Sequence, residues 1–228
     1  MIIGDDGHVL CHHRKIVPTF YEKLVWAPGD GSGLRVCETR LGRLGMLICG
    51  ENTNPLARYT LLAQGEQVHM STYPPVWPTH EPSTSGNYDL KQAILIRAGA
   101  HSFEGKVFNI VASGFLDKAT WEELATLDKD AGRILNESPR GISVVGPNGL
   151  PISEIMQDTE GLLYVDIDLS QCVEPKQFHD LVGGYNRFDI FKLTVNRSLH
   201  QPVTFETNSF NNNQLPVTDV PSGDESQT

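Results

Sequence analysis

Cys49 stands between an apolar run and a helix start, a position from which a thiol can act as a nucleophile. The run from Leu44 to Ile48 predicts a buried strand, while Asn54 and Pro55 are typical of an N-cap and a first helical residue. A turn between strand and helix holds a side chain rigidly, and free N–H groups at a helix start favour an anion such as a thiolate. A small buried core residue would occupy the same position, so both interpretations stay open.

Lys15 and Glu22, in "HHRKIVPTFYEKLVW", are the two charged residues that could assist this thiol. A nearby cation lowers the pKa of a cysteine, and a carboxylate can move protons for a leaving group and for water. Taken alone, the same residues fit a solvated strand end and a surface charge. Nothing in the local pattern brings either of them to Cys49.

The sequence predicts no metal and no cofactor. His12 and His13 are adjacent, so on a strand they face opposite sides and cannot hold one ion together. There is no HExxH and no Cys/His cluster, and the turn "GDGSG" lacks the Lys-Ser/Thr of a phosphate loop. The four cysteines are scattered without a CxxC pair, which favours free thiols in a reducing compartment.

Composition limits the partners and the location. The 228 residues carry a formal net charge of −10 and no basic run, which argues against nucleic acid and anionic membrane surfaces. No apolar run has the length of a membrane span, and the N-terminus has no signal-peptide pattern. We therefore expect a cytoplasmic protein.

Strand and helix signals alternate along the chain, which predicts an α/β or α+β fold with one main core. The predicted elements, in chain order, are a strand in "HVLCHHRKIV" that pairs with Met1 to Ile3, a hairpin at 35–39 and 44–49, a helix from Pro55 to Gln64, a strand "QVHMS", a helix ending at Gly105, a strand "KVFNIVASG", a helix "ATWEELATL", and strands in "GISVVGPNGLPISE" and "GLLYVDIDL". Residues 1–200 form the predicted domain, and 201–228 a polar, disordered tail.

Two motifs, "RKIVPT" followed by a glutamate and "GMLICGEN" followed by "PLAR", resemble the nitrilase branch of the carbon–nitrogen hydrolase superfamily, most of all the fungal nitrilases. The segments "LLAQGEQVHMSTYPPVWPT" and "AGAHSFEGKVFNIVASG" follow in the family's order. The resemblance covers roughly residues 4–199. It implies a four-layer αββα sandwich and hydrolysis of a small organic nitrile to an acid and ammonia.

The resemblance also assigns roles to residues. Cys49 matches the nucleophile, Lys15 the catalytic lysine and Glu22 a supporting glutamate. Glu51 and Arg58 match the pattern after the nucleophile. Trp26, Glu51 and the loop "YPPVWPTHEP" are expected to bind substrate. The family also implies homo-oligomers, from dimers to helical assemblies.

The chain departs from the family at two places. Many members carry tryptophan after the cysteine, where this chain has Gly50, which bears on the pocket shape. The family's general-base glutamate lies upstream of the lysine, yet no glutamate precedes Lys15. This predicts that the chain is roughly the C-terminal two-thirds of a nitrilase. The alternatives are an amidase of the same superfamily and an inactive fragment or assembly partner.

Overall fold

The computed structural model describes residues 1–74, 90–115, 117–127, 142–156, 161–200 and 203. Within them, two sheets and three α-helices form the main elements. Their bounds in chain order are β1 Ile2–Ile3, β2 Val9–Cys11, β3 Cys37–Thr39, β4 Gly42–Ile48, α1 Pro55–Leu62, β5 Val68–Tyr73, α2 Leu90–Gly105, β6 Phe108–Ser113, α3 Lys118–Leu127 and β7 Ile142–Val145. The predicted α/β class is confirmed.

Five strands form a mixed sheet in the order β3-β4-β5-β6-β7. The central pairs β4–β5 and β5–β6 are parallel, and the outer pairs β3–β4 and β6–β7 are antiparallel. Parallel neighbours need a crossover, which α1 and α2 provide. The carboxyl ends of the three parallel strands therefore meet at one edge of the sheet, and Cys49 directly follows the end of β4.

The two faces of the sheet are covered by different elements. Leu47 of β4 packs against Leu61 of α1, and both side chains are fully buried, a burial that stabilises by about 1.5–3 kcal/mol for each leucine. On the opposite face Met46 packs against Ile2 and Cys11 of the β1–β2 hairpin. The order across the molecule is thus helices, five-stranded sheet, two-stranded sheet.

The helix start behind Cys49 forms as the sequence predicts. The Asn54 side chain accepts hydrogen bonds from the N–H groups of Leu56 at 2.9 Å and Ala57 at 3.4 Å, and Pro55 occupies the first turn. The helix ends at Leu62, two residues earlier than predicted, and Gly65 follows with φ of 79°. Glycine adopts this left-handed conformation without a Cβ penalty.

Of two strands predicted near the end of the chain, one is absent and the other is shortened. The segment "GLLYVDIDL" is not a strand, and its Leu162 and Tyr164 side chains are exposed. A strand needs a neighbour for its N–H and C=O groups, and no described strand pairs with this segment. The return arm after Asn148 is reduced to one bridge at Pro151, a residue that has no N–H to donate.

The strand predicted in "HVLCHHRKIV" ends at Cys11 because its partner β1 has only two residues. His12 is exposed and His13 is buried, so these two residues do face opposite sides as predicted. Residues 75–82 of the loop "YPPVWPTHEP" lie outside the described residues, as do residues 201, 202 and 204–228 of the predicted tail. No helix in the described part of the chain is long and apolar enough to cross a membrane.

Candidate active site

Cys49 occupies a strained position at the edge of the sheet. It is the first residue of a 3₁₀ turn that spans Cys49–Thr53, its φ is 53°, and it is 7% exposed. A positive φ is uncommon for a residue with a Cβ, and such strain gathers at functional sites. Phe20, close in sequence to Glu22, also has a positive φ, of 45°. The predicted strand–turn–helix setting of the thiol is therefore present.

The Glu51 carboxylate holds this turn in place. It accepts a hydrogen bond from the Ile48 N–H at 2.8 Å and another from the Ile16 N–H, and it contacts His13 Nε2 at 2.8 Å. Ile48 immediately precedes Cys49, and Ile16 immediately follows Lys15. One buried carboxylate thus ties the segment that carries the lysine to the turn that carries the thiol.

Lys15 and Glu22 form an ion pair in which the lysine side chain is 6% exposed and the glutamate 30%. Lys15 Nζ also donates to Thr19 Oγ1 at 2.9 Å, and the Thr19 N–H donates to Glu22 at 2.5 Å. The lysine backbone is fixed as well, because the Gly29 N–H donates to the Lys15 carbonyl at 2.8 Å. A Cβ on Gly29 would lie 2.4 Å from the Arg14 carbonyl oxygen, so this close approach requires glycine.

The charges of this pair act on the Cys49 thiol. Burial raises the pKa of Cys49 above its ordinary value, and the positive charge of Lys15 lowers it. A hydrogen bond from the Gly50 N–H also lowers the pKa, whereas the Glu22 carboxylate raises it. Burial outweighs the rest, so the expectation that this position favours the thiolate is wrong in its net direction. The resting group is the thiol, which must lose its proton during attack.

The structure thus brings Lys15, Glu22 and Cys49 within electrostatic reach of one another. Glu51 is 7% exposed and faces three protein donors, a geometry that favours a structural role over substrate contact. Trp26 is half exposed and follows the 3₁₀ turn that carries Glu22. Arg58 pairs with Glu104 at 2.7 Å, which joins α1 to α2.

Sequence reasoning missed two groups near the thiol, Thr19 and Arg97. The positive charge of Arg97, from α2, lowers the pKa of Cys49, and its Nε donates to Thr53 Oγ1 at 2.6 Å. A Cβ on Gly50 would lie 3.9 Å from Thr19 Oγ1, so this threonine faces the residue after Cys49. Thr19 could have been found as the residue three before Glu22, a spacing that predicts a capping box.

A buried cluster of Glu66, His69 and His101 was also missed. Their ligating atoms all lie within 4.8 Å of one another, a geometry that could hold a metal ion. Glu66 and His69 are three residues apart in "GEQVH", and only the fold brings His101 to them. Glu66 contacts His69 Nδ1 at 2.7 Å and His101 Nε2 at 2.8 Å.

The Glu51→Gln variant is expected to lower the free energy of unfolding by about 1–3 kcal/mol. The amide NH₂ would face backbone N–H donors and leave at least one of them unpaired in the interior. Urea denaturation measures the effect, with the exposed Glu38→Gln as the matched control, expected to change stability by less than about 0.5 kcal/mol. Unchanged stability with a raised KM would instead make Glu51 a substrate-binding residue.

Known proteins of one family match this chain in sequence and in fold. A family model described as carbon-nitrogen hydrolase matches residues 1–177. In the crystal structure of a carbon-nitrogen hydrolase from Helicobacter pylori, 62% of the chain superposes on 83% of this one, with a TM-score of 0.65 and 21% identity. This likeness shows the fold.

Two curated relatives are closer in sequence. A nitrilase 3 from an unknown prokaryotic organism is 33% identical over 200 residues, covering 87% of this chain and 57% of the relative. A nitrilase from Penicillium rubens is 31% identical over 210 residues, covering 90% of this chain and 63% of the relative. The chain thus spans about three-fifths of the length of these nitrilases. On the match across residues 1–177, this chain belongs to the carbon-nitrogen hydrolase family, and its similarity is to the nitrilase branch.

Proposed function

We propose that this protein hydrolyses an organic nitrile to the carboxylic acid and ammonia through a covalent adduct on Cys49. The observation that carries the proposal is the buried, strained thiol on which the charges of Lys15 and Glu22 both act. The similarity to proteins named nitrilases supports the choice of nitrile as the substrate class.

In the first half of the reaction the Cys49 sulfur attacks the nitrile carbon. The S–C bond forms as one C–N π bond breaks, and the thiol proton is transferred so that the nitrogen gains one proton and a thioimidate results. Lys15 stabilises the negative charge that develops on this nitrogen, because a fixed ammonium in a water-poor site interacts strongly with it. Its hydrogen bonds to Thr19 and Glu22 hold it in position beforehand.

In the second half two water molecules are consumed. The first adds to the thioimidate carbon, and the C–N bond then breaks to release ammonia and leave a thioester. The second attacks the thioester carbon, and the C–S bond breaks to release the acid and restore the thiol. Each addition requires a base, a role that a carboxylate can fill. Among the described groups, Glu22 is the carboxylate whose charge acts on the thiol.

Self-association is a further part of the proposal. A groove along α1 is lined by side chains that include Leu56, Tyr185, Phe188 and Phe191. These four side chains are 60–74% exposed, and contiguous apolar surface of this kind is typical of protein interfaces. A second copy of the chain is the occupant that the family resemblance suggests.

The test offers the purified chain matched pairs of nitrile and amide, such as benzonitrile with benzamide and propionitrile with propionamide. We expect ammonia from the nitriles and, by mass spectrometry of the intact protein, a transient acyl mass on Cys49. Faster ammonia release from the amides would make the protein an amidase, since thiol, ammonium and carboxylate serve both reactions. Neither ammonia nor a mass shift with any pair would contradict the proposal.

A further inference from the structure

A chain of four buried polar side chains runs behind the nucleophile turn. Its members are Asn52, His69, Glu66 and His101, each no more than 2% exposed. Asn52 Oδ1 lies 2.9 Å from His69 Nε2, His69 Nδ1 lies 2.7 Å from Glu66, and His101 Nε2 lies 2.8 Å from Glu66. Gly45 makes room for this chain, because a Cβ there would lie 1.9 Å from the Glu66 carboxylate.

The orientation of Asn52 determines the first proton position. Its Nδ2 donates to the Cys49 carbonyl at 3.0 Å and lies 3.3 Å from the Leu47 carbonyl. Carbonyl groups only accept, so the NH₂ must face them and Oδ1 must face His69. Because Oδ1 is an acceptor, His69 Nε2 must carry a proton.

The contact of His69 Nδ1 on the other side of the ring determines the charge of this histidine. Its Nδ1 faces the Glu66 carboxylate, whose pKa burial raises but the charge of His69 and the hydrogen bonds from His69 and His101 lower. An ionised carboxylate accepts, so His69 Nδ1 also carries a proton and the ring is an imidazolium. His101 is the neutral member: burial and the charge of His69 lower its pKa to about 4.

The hydrogen-bond inventory of His101 agrees with that assignment. Its Nδ1 has no partner within the described part of the chain, so a proton there would leave a buried donor unpaired. The His69 and His101 ring centres are also only 4.0 Å apart, where two positive charges would repel. One carboxylate and one imidazolium leave the buried chain neutral overall.

Asn52, at the outer end of this series of hydrogen-bonded side chains, is connected to the thiol through a single peptide unit. Asn52 Nδ2 donates to the carbonyl of the peptide that joins Cys49 to Gly50 at 3.0 Å, and the N–H of that same peptide lowers the pKa of the Cys49 thiol. A peptide unit is planar, with its C=O and N–H on opposite sides. Fixing the carbonyl on one side therefore fixes the direction of the Gly50 N–H on the other, and with it the backbone next to the sulfur.

We propose that Asn52, His69 and Glu66 are positioning residues: the buried His69–Glu66 pair fixes the Asn52 amide, which holds the Cys49 carbonyl and so fixes the peptide unit next to the thiol. The consequence for turnover rests on the proposed function, whereas the geometry does not. A metal ion would need to displace the two direct contacts to Glu66 and the proton on the His69 nitrogen that it binds. The hydrogen-bonded arrangement is therefore the assignment that we favour.

The protonation state is tested by NMR of the ¹⁵N-labelled chain near neutral pH. We expect both His69 ring nitrogens to be protonated and one of the two His101 nitrogens to be unprotonated, with the His69→Gln spectrum giving the assignment. The Glu66→Gln variant should convert His69 to a neutral ring. An unprotonated His69 nitrogen in the unsubstituted protein, or one bound zinc per chain by elemental analysis, would overturn the proposal.

The link to the thiol is tested by the Asn52→Asp variant. It keeps the side-chain size but turns an acceptor toward the Cys49 carbonyl, so iodoacetamide should alkylate Cys49 more slowly at a given pH. The kcat for nitrile hydrolysis should fall by about 10²-fold with KM little changed. Ser71→Ala is the control, since Ser71 is equally buried and its hydroxyl bonds to Asn109 outside this chain of residues. It should retain the alkylation rate whatever its stability.

Alkylation needs no nitrile, so it separates the two proposals. If the Asn52→Asp variant alkylates more slowly but the unsubstituted protein hydrolyses no nitrile, the positioning role is supported. Only the nitrilase proposal is then contradicted. An Asn52→Asp variant that alkylates at the original rate would overturn the positioning role, whether or not the protein hydrolyses nitriles.

Discussion

The Cys49→Ala variant is expected to release ammonia from nitriles about 10⁶-fold more slowly, the scale of loss when a hydrolase loses its nucleophile. Cys49→Ser should fail as well, because a hydroxyl is far less acidic than a thiol and this site already opposes ionisation through burial. Ammonia release and the acyl mass on the protein are the two measurements, and both should disappear together.

The matched control for this variant is Cys172→Ala. It removes the same atom from a residue that is 2% exposed, compared with 7% for Cys49, and whose sulfur faces the Gln67 carbonyl. The control should keep its turnover and its acyl mass even if its stability falls. Normal turnover by Cys49→Ala would show that this cysteine is not the nucleophile. Loss of turnover in Cys172→Ala would show that disturbed packing can explain the result.

Substitutions of Lys15 and of Glu22 are both expected to lower turnover. They are expected to shift the pKa of the Cys49 thiol in opposite directions. Lys15→Met and Glu22→Gln should each lower kcat by about 10²–10³-fold, because one removes charge stabilisation and the other a proton carrier. Lys15→Arg should be nearly as damaging as Lys15→Met, since a planar guanidinium does not replace a compact ammonium in a tight site.

The two substitutions should shift the pH profile of Cys49 alkylation in opposite directions. Lys15 lowers the pKa of the thiol, so its removal raises the pKa and moves the alkylation profile to higher pH. Glu22 raises that pKa, so Glu22→Gln moves the profile to lower pH and speeds alkylation at a fixed pH below it. Shifts in the same direction would mean that the pair does not act on the thiol as charges.

A third variant controls for a general change in surface charge. Lys23 is adjacent to Glu22 in sequence and is exposed. The Lys23→Met variant removes the same charge as Lys15→Met, so it should leave both the alkylation profile and kcat close to those of the unsubstituted protein. A Lys23→Met profile that moves as far as the Lys15→Met profile would mean that net charge, and not the position of Lys15, sets the reactivity.

Several elements could be predicted because the interactions that form them are local. The start of α1 follows from Asn54 and Pro55 alone, since the cap and the first turn involve residues adjacent in sequence. The hairpin from Cys37 to Ile48 and strand β5 follow from apolar runs separated by turn residues. These elements are enough to place Cys49 between a strand and a helix.

The segment "GLLYVDIDL" shows where local pattern fails. Its alternation of apolar and polar residues is typical of a strand, yet a strand exists only when a neighbour pairs with it. No described strand does so, and Leu162 and Tyr164 remain exposed. Pairing is a property of two distant segments, and no pattern within one of them contains it.

By itself the sequence determined the strand–turn–helix setting of Cys49 and, through two motifs, the family. Only the tertiary structure decided the rest of the site: that Glu51 joins the Lys15 segment to the Cys49 turn, and that Glu66 and His69 meet His101 behind it. It also decided the direction of the pKa shift of Cys49, because burial depends on everything that packs around the sulfur. Capping and strand propensity act between residues adjacent in the chain, whereas burial, ion pairing and charge act between residues adjacent only in the folded molecule.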